Sequence, residues 1–338
     1  MDKHSTAMRS FPSVSVVIPA YSMDRWDSLR HAVASVRAQT VQVLETVVVI
    51  DHHPELMAKA ASELPGVTVI ANAGIRGASG ARNTGAAASR GKMLAFLDDD
   101  AIASPNWLES LLQHFQDPTV VGAGGRLEPL WQTRRPQWFP QEFDWAVGCS
   151  YRGMPESATI VRNVWSNTMA IRRQAFDAVG GFRDDFGKIG AWSRPEDTDL
   201  CLRTAECYGG GTWIYEPNAI AAHQVPAERT ALSYFLRRCY YEGQGKAALA
   251  SLNGTNQSIS TERQYARYVL PRGIVRGLRE TARGDASGVA RSFAIMAGTS
   301  FAIVGFLVDR AIGSVVARHG AGRLGAASVT TRRPVIRH

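Results

Sequence analysis

Three consecutive carboxylates, Asp98, Asp99 and Asp100, follow the apolar run Met93–Leu97. Holding them together is costly unless something positive neutralises them, because like charges at close range oppose ionisation. A divalent cation is the simplest solution, and a small all-oxygen ligand set favours Mg²⁺ or Mn²⁺, with water and substrate phosphates completing the shell. On an extended strand end alternate side chains share a side, so the spacing predicts Asp98 and Asp100 on one site and Asp99 turned elsewhere. The competing reading is a solvated acidic turn. A second stretch, Arg76-Gly-Ala-Ser-Gly-Ala-Arg-Asn-Thr-Gly85, places Gly77, Gly80 and Gly85 before a small-residue helix. It looks like a phosphate cradle but follows neither the Walker pattern nor GxGxxG, and close helix packing would explain its glycines as well.

The elements that must position these residues alternate from the start of the chain. Val14-Ser-Val-Val-Ile-Pro19 and Thr46–Ile50 read as buried β-branched strands, the second ending at Asp51. Leu29, Ala32, Val33 and Val36 recur at helical spacing between them, with Asp27 or Ser28 as cap. A strand over 67–71, a helix over 78–88 and a strand over 93–97 continue the order. Such β-α-β alternation predicts a parallel, doubly wound sheet whose ligands bind beyond the strand C-termini, where Asp51 and Asp98–Asp100 lie. Further on, 105–115 reads as helix, 120–127 as strand, Trp131–Trp145 as an irregular loop, and 231–248 as helix again.

With 338 residues, 45% hydrophobic and 20% charged, the chain has material for a large core, and a disordered or small stapled protein is excluded. The four cysteines form no CxxC pair, which fits reduced thiols rather than a zinc module or disulfide framework. No apolar signal core marks the first eleven residues. The net charge of +8 is uneven: from Gln224 onward there are 17 Lys/Arg against 6 Asp/Glu. That basic tail could meet anionic lipid, an anionic substrate or nucleic acid. Nucleic acid is the poorest fit, because aromatic residues do not interleave with most of the arginines and the acidic triplet would go unexplained.

Taken in order, the motifs Val16-Val-Ile-Pro-Ala-Tyr21, Asp51, Gly80-Ala-Arg-Asn-Thr-Gly85, Asp98–Asp100 and Pro195-Glu-Asp-Thr-Asp-Leu-Cys-Leu-Arg203 resemble the family-2 glycosyltransferases of GT-A fold. The match continues through Asn167–Phe176, Gly180-Gly-Phe182 and His223, covering about the first 225 residues. The resemblance implies a GT-A-type, mostly parallel α/β sheet flanked by helices over 13–228, preceded by a tail (1–12). The nucleotide half would span about 13–127 and the acceptor half about 128–228. A basic helical extension (229–290), an apolar helix (291–317) and a basic tail (318–338) would follow.

Carried over position by position, the resemblance makes Pro19, Ala20, Tyr21, Asp51, Gly80, Arg82, Asn83, Asp98 and Asp99 the nucleotide-sugar contacts. It puts Mn²⁺ or Mg²⁺ on Asp98 and Asp100 with His223 completing the site, a core histidine being the alternative. Asp197 would be the catalytic base with Glu196 beside it, and Trp192 and Asn167 would meet the acceptor. An inverting transfer needs such a carboxylate opposite the leaving diphosphate and a metal for the charge growing there. Asp199 reads as helix capping. One departure is Asp51-His-His-Pro54 where many relatives have Asp-Asp-Gly-Ser, so His52 stands in for a second acidic base contact.

The implied activity is metal-dependent, inverting transfer of a sugar from a UDP-sugar to an acceptor hydroxyl; a non-catalytic nucleotide-sugar scaffold is the alternative. Tyr21-Ser-Met-Asp-Arg-Trp26 resembles enzymes acting on polyprenyl-phosphate-linked glycans, some of them glucuronosyltransferases. Ser292–Val308 gives 17 uncharged, mostly apolar positions, at the lower edge of a membrane span. An interfacial helix or an oligomer contact competes with crossing. Together with the arginines before it, the segment predicts a place on the cytoplasmic face of the membrane.

Overall fold

The computed structural model describes residues 11–184, 186–189, 192–253 and 260–324. Most of the expected 1–12 and 318–338 tails therefore lies outside the described residues. The alternation read from the sequence yields β1 (Val14–Ala20), α1 (Trp26–Arg37), β2 (Glu45–Ile50), α2 (Pro54–Glu63), β3 (Thr68–Ala71), α3 (Ala78–Ala88) and β4 (Met93–Leu97). β3, β2, β1 and β4 lie side by side and all pair in parallel.

Both faces of this half-sheet are covered, which is why its strands are apolar without alternation. Val14, Val16 and Ile18 pack with Leu29, Val33 and Val36 of α1 on one face. Val17, Val47 and Val49 pack with Ala81 and Ala86 of α3 on the other. Gly85 brings α3 down onto the sheet: a Cβ there would lie 2.3 Å from Val17 Cγ1.

The second half departs from a purely parallel sheet. β5 (Ala101–Ala103), α4 (Trp107–Leu112), β6 (Val120–Trp131), β7 (Thr159–Val161), β8 (Thr168–Arg172) and α5 (Arg173–Ala178) follow. Next come β9 (Gly187–Ile189), β10 (Trp192–Arg194), α6 (Glu196–Cys207) and β11 (Thr212–Val225). β8 inserts antiparallel between β4 and β6, β11 runs parallel to β6, and β5 and β7 pair antiparallel with β11. Hydrophobic runs carry no strand direction, so the sequence could not have announced β8.

Two local expectations change. α1 begins earlier than Asp27 or Ser28 would place it, because Ser22 caps a 3₁₀ turn (Met23–Arg25) that leads into the helix. The Trp131–Trp145 stretch is not an open loop: β6 runs to Trp131 and a 3₁₀ segment spans Gln141–Val147. Trp131, Trp138 and Trp145 pack against the core, with Trp138 edge-on to Phe235 and Trp131 edge-on to Phe139.

The C-terminal part is helical: α7 (Leu232–Asn253), α8 (Ser260–Gln264), a π turn (Tyr265–Val269), α9 (Leu270–Ala282) and α10 (Ser287–Leu324). Phe235, Cys239, Leu270, Ala294 and Ile295 from these helices are buried in the same cluster as β1.

Candidate active site

The strand ends converge as the alternation predicts. At β2, Asp51 accepts hydrogen bonds from Asn72 Nδ2 (2.7 Å) and the Gly77 N–H (2.9 Å), which fixes the entry to α3. His52 has a left-handed backbone (φ 54°) and its Nδ1 lies 2.9 Å from the same carboxylate. Pro19 and Ala20 end β1 beside this point, while Tyr21 stands half exposed with the Arg25 guanidinium 4.8 Å above its ring.

The glycine loop divides between packing and electrostatics. A Cβ on Gly80 would sit 2.0 Å from the Ile75 carbonyl oxygen, so this glycine lets α3 meet the preceding loop. Asn83, expected against the nucleotide, is spent on structure: its amide donates to the Phe182 carbonyl (2.8 Å) and accepts from the Phe182 N–H (2.9 Å). Arg82 is buried, with Nη2 at 2.7 Å from Asp98 and Nη1 at 3.3 Å from Glu196. One guanidinium therefore ties the end of β4 to the start of α6.

The acidic triplet does not divide by strand parity, because β4 stops at Leu97 and the chain turns through Asp99 and Asp100. Asp98 goes to Arg82, whereas Asp99 and Asp100 share Arg25 Nη1 at 2.7 and 2.9 Å. The antiparallel pairing of β5 with β11 sets His223 opposite Ala101, and His223 Nε2 reaches 3.3 Å from Asp100 Oδ1. The expected set of Asp98, Asp100 and His223 is thus only partly assembled: Asp100 and His223 meet, and Asp98 faces away to Arg82. Among the described residues no cluster of three or more His, Cys, Asp or Glu forms a ready-made metal cage.

The donor chemistry nevertheless fits a cation shared with phosphates. Asp99 Oδ2 is buried and accepts no hydrogen bond, and Asp100 Oδ1, equally buried, meets the His223 imidazole at 3.3 Å; such poorly satisfied oxygens are costly without a positive partner. Mg²⁺ and Mn²⁺ are commonly held by one or two protein groups plus substrate phosphates. Burial pushes Asp99 up to about 7 against the pull of Arg25. Asp100 is also penalised by burial, but His223 and Arg25 outweigh it and hold the carboxyl below its usual range. Arg25, not among the expected site residues, is the resident counter-charge.

Across Arg82 lies the second carboxylate group. Glu196 and Asp197 open α6, where the helix dipole favours negative charge. Burial, and then the neighbouring Asp197, pushes Glu196 up to about 7. Asp197 is also raised by burial, with the Lys246 ammonium as the main opposing pull, and its Oδ1 accepts from the Thr198 N–H at 2.7 Å. Asp199 is wholly buried between Arg183 (3.0 Å) and Arg203 (2.7 Å); it pairs with arginines and does not cap α6, whose N-cap is Pro195. Asn167 precedes Thr168, which pairs with Leu97, so it falls opposite Asp98; its Oδ1 is buried without a hydrogen bond. Trp192 begins the β9–β10 hairpin that leads into Pro195, and its side chain lies outside the described ones.

A charged ladder backs this rim. Arg238, Glu242 and Lys246 recur every fourth residue of α7 and pair at 2.9 and 3.4 Å. Lys246 also meets Glu262 of α8 at 2.8 Å, and Arg162 grips Glu262 through two hydrogen bonds of 2.7 and 2.9 Å. Sequence reasoning missed these residues as site residues. The i, i+4 spacing on α7 was the available signal, but it is also what any solvated helix face shows.

Comparison with known proteins agrees with this layout. The "Glycosyl transferase family 2" profile matches residues 15–180. The chain is 34% identical over 241 residues to the glucosyl-dolichyl phosphate glucuronosyltransferase of Haloferax volcanii, covering 70% of this chain and 77% of that one. It is 32% identical over 242 residues to the pre-mycofactocin glycosyltransferase of Mycobacterium tuberculosis, covering 71% of this chain but 48% of the relative. Among solved structures, the mannosyltransferase of Pyrobaculum calidifontis in complex with GDP-Man and Mn²⁺ aligns over 89% of both chains at 18% identity and a TM-score of 0.55. GalNAc-T7 with UDP, GalNAc and Mn²⁺ aligns over 77% of this chain and 57% of that one, at 16% identity and a TM-score of 0.51. The ordered strand-end motifs, the sheet that carries them and these likenesses lead to one conclusion: the chain is a glycosyltransferase enzyme of family 2, with the GT-A fold.

Proposed function

We propose that this enzyme moves a sugar, with inversion, from a UDP-sugar to a hydroxyl of a lipid-linked acceptor at a membrane surface. The observation that carries the reading is the Arg82 bridge, which holds Asp98 on the strand-end side and Glu196 on the α6 side of one buried guanidinium. It supports two carboxylate groups working on one substrate pair: Asp99, Asp100 and His223 toward the donor diphosphate, Asp197 toward the acceptor.

In this reading the nucleotide lies along the ends of β1 and β2, by Pro19, Ala20, Tyr21 and Asp51. Asp100 and His223 would hold Mn²⁺ or Mg²⁺, with Asp98 and Asp99 near the same phosphates. When bound, the cation supplies positive charge for the diphosphate as it departs. Asp197 accepts the proton of the acceptor hydroxyl. The oxygen then bonds to the anomeric carbon as that carbon's bond to the diphosphate breaks, and the bonding pair leaves with the diphosphate. Lys246 stabilises the charged form of Asp197 before the proton arrives, against the burial that opposes it. A lipid-linked acceptor is supported by likeness to the glucuronosyltransferase of Haloferax volcanii, whose name specifies a dolichyl phosphate substrate.

Calorimetry with UDP, GDP and dTDP, each with and without Mn²⁺, tests the donor side. Metal-dependent binding of UDP alone is expected. Preference for GDP would overturn the base assignment, and binding indifferent to metal would overturn the role of Asp100 and His223.

A further inference from the structure

α10 is apolar for long enough to cross a bilayer: the most apolar stretch within Ser287–Ala311 has a mean hydropathy of 1.7, and 28% of that stretch is buried. Its packing argues against crossing. A Cβ on Gly305 would lie 2.0 Å from the Tyr240 carbonyl oxygen, and one on Gly243 would lie 1.9 Å from the Ala302 carbonyl oxygen, so α10 and α7 touch backbone to backbone. Gly298 faces Phe143 and Phe235, and Gly288 meets Gly277 of α9 equally closely. Ser292 Oγ donates to the Ile274 carbonyl at 3.0 Å. The face of α10 that carries Gly288, Ser292, Gly298 and Gly305 is thus built into the enzyme. Were the helix to span, it would draw the buried Glu142 and the partly buried Arg238 and Glu242 into hydrocarbon with it.

The opposite face has no partner among the described residues. Val289, Phe293, Met296, Ile303, Val304 and Leu307 are 49–63% exposed. Their spacing puts them on one stripe of the helix, the pattern of a surface that expects an apolar medium. The surroundings are cationic. The chain from Ala311 to His338 contains five arginines and no acid. On α9, Arg272, Arg279 and Arg283 are exposed and form no ion pair among the described residues, beside exposed Val275 and Leu278. An apolar stripe with arginines around it is complementary to anionic headgroups over acyl chains.

We infer that α10 lies in the plane of an anionic bilayer, with the stripe from Val289 to Leu307 in the acyl boundary and its glycine-lined face holding the catalytic domain to the surface. The inference gives the membrane surface of the function proposed above its place on the molecule. It is tested without any sugar transfer, so the two readings can fail separately.

The full chain is sedimented with vesicles of phosphatidylcholine containing roughly 30% phosphatidylglycerol, and with phosphatidylcholine alone. The wild type should pellet with the anionic vesicles and be released by alkaline carbonate. A Phe293→Ser, Met296→Ser, Leu307→Ser variant should lose roughly tenfold or more of that binding while its melting temperature and UDP binding stay unchanged, since all three side chains point away from the core. Retention in the membrane after carbonate would mean a span and overturn the inference. So would absence of vesicle binding, or a dimer seen by light scattering that the variant abolishes, which would assign the stripe to a second copy.

Discussion

The two rims of the active site are built by different physics. The proposed donor rim is made of strand ends: the sheet delivers Asp51, Asp98, Asp99 and Asp100 to one edge, where Arg82 pairs with Asp98 and Arg25 with Asp99 and Asp100. The proposed acceptor rim is made of a helix start and the helices behind it, where Asp197 is poised between burial and Lys246, a residue 49 positions later. A carboxylate held below its usual range, as Asp100 is by His223 and Arg25, suits fixed charge at a diphosphate. One raised by burial and only partly compensated suits a group that must take up a proton. Arg82 forms an ion pair with each rim.

The sharpest way to break this contrast is Asp197→Asn. Transfer should fall by about 10³-fold or more while UDP binding is kept, because only the proton acceptor is lost. Near-normal transfer would show that the base lies elsewhere. Arg82→Ala should damage both rims at once, leaving Asp98 and Glu196 without their shared cation. A stability loss on the order of 3 kcal/mol in denaturant titration, together with weaker donor binding, is expected. Loss confined to one rim would refute the bridge.

Smaller effects sharpen the donor side. Asp100→Asn should weaken Mn²⁺-dependent UDP binding by roughly tenfold or more, whereas Arg25→Ala, which frees two carboxylates of their counter-charge, should tighten binding of Mn²⁺ alone. If both variants weaken the metal, Arg25 is a support and not a competitor. The mildest test is pH. Burial and Asp197 hold Glu196 up near 7, so the pair takes up a proton as pH falls through neutrality, and a base that must be unprotonated then loses activity. Glu196→Gln removes the neighbouring charge and should move the acid limb of the rate profile to lower pH.

The donor rim was the more legible of the two, for a reason visible in its residues. β-branched runs ending in Asp state both the element and its functional end, so Asp51 and the triplet could be placed from the sequence, as could the helix over 78–88. What escaped were relations across long separations. Arg25 meets Asp99 across 74 positions, Asn83 meets Phe182 across 99, and Arg162 meets Glu262 across 100. Nothing in the neighbouring residues marks these partners. The Trp131, Trp138 and Trp145 stretch misled in the other direction: prolines and tryptophans read as loop, yet their rings are recruited by Phe139, Phe143 and Phe235 to join the helices to the sheet.

The glycine seam between α7 and α10 bears on how the enzyme can be handled at the bench. An apolar C-terminal helix invites removal to obtain a soluble protein. Cutting before Ser287 would uncover Phe143, Phe235 and the backbone of α7, trading one exposed apolar stripe for a freshly opened core. Polar substitutions along the outer stripe leave that seam closed, and they are the better route to a well-behaved preparation.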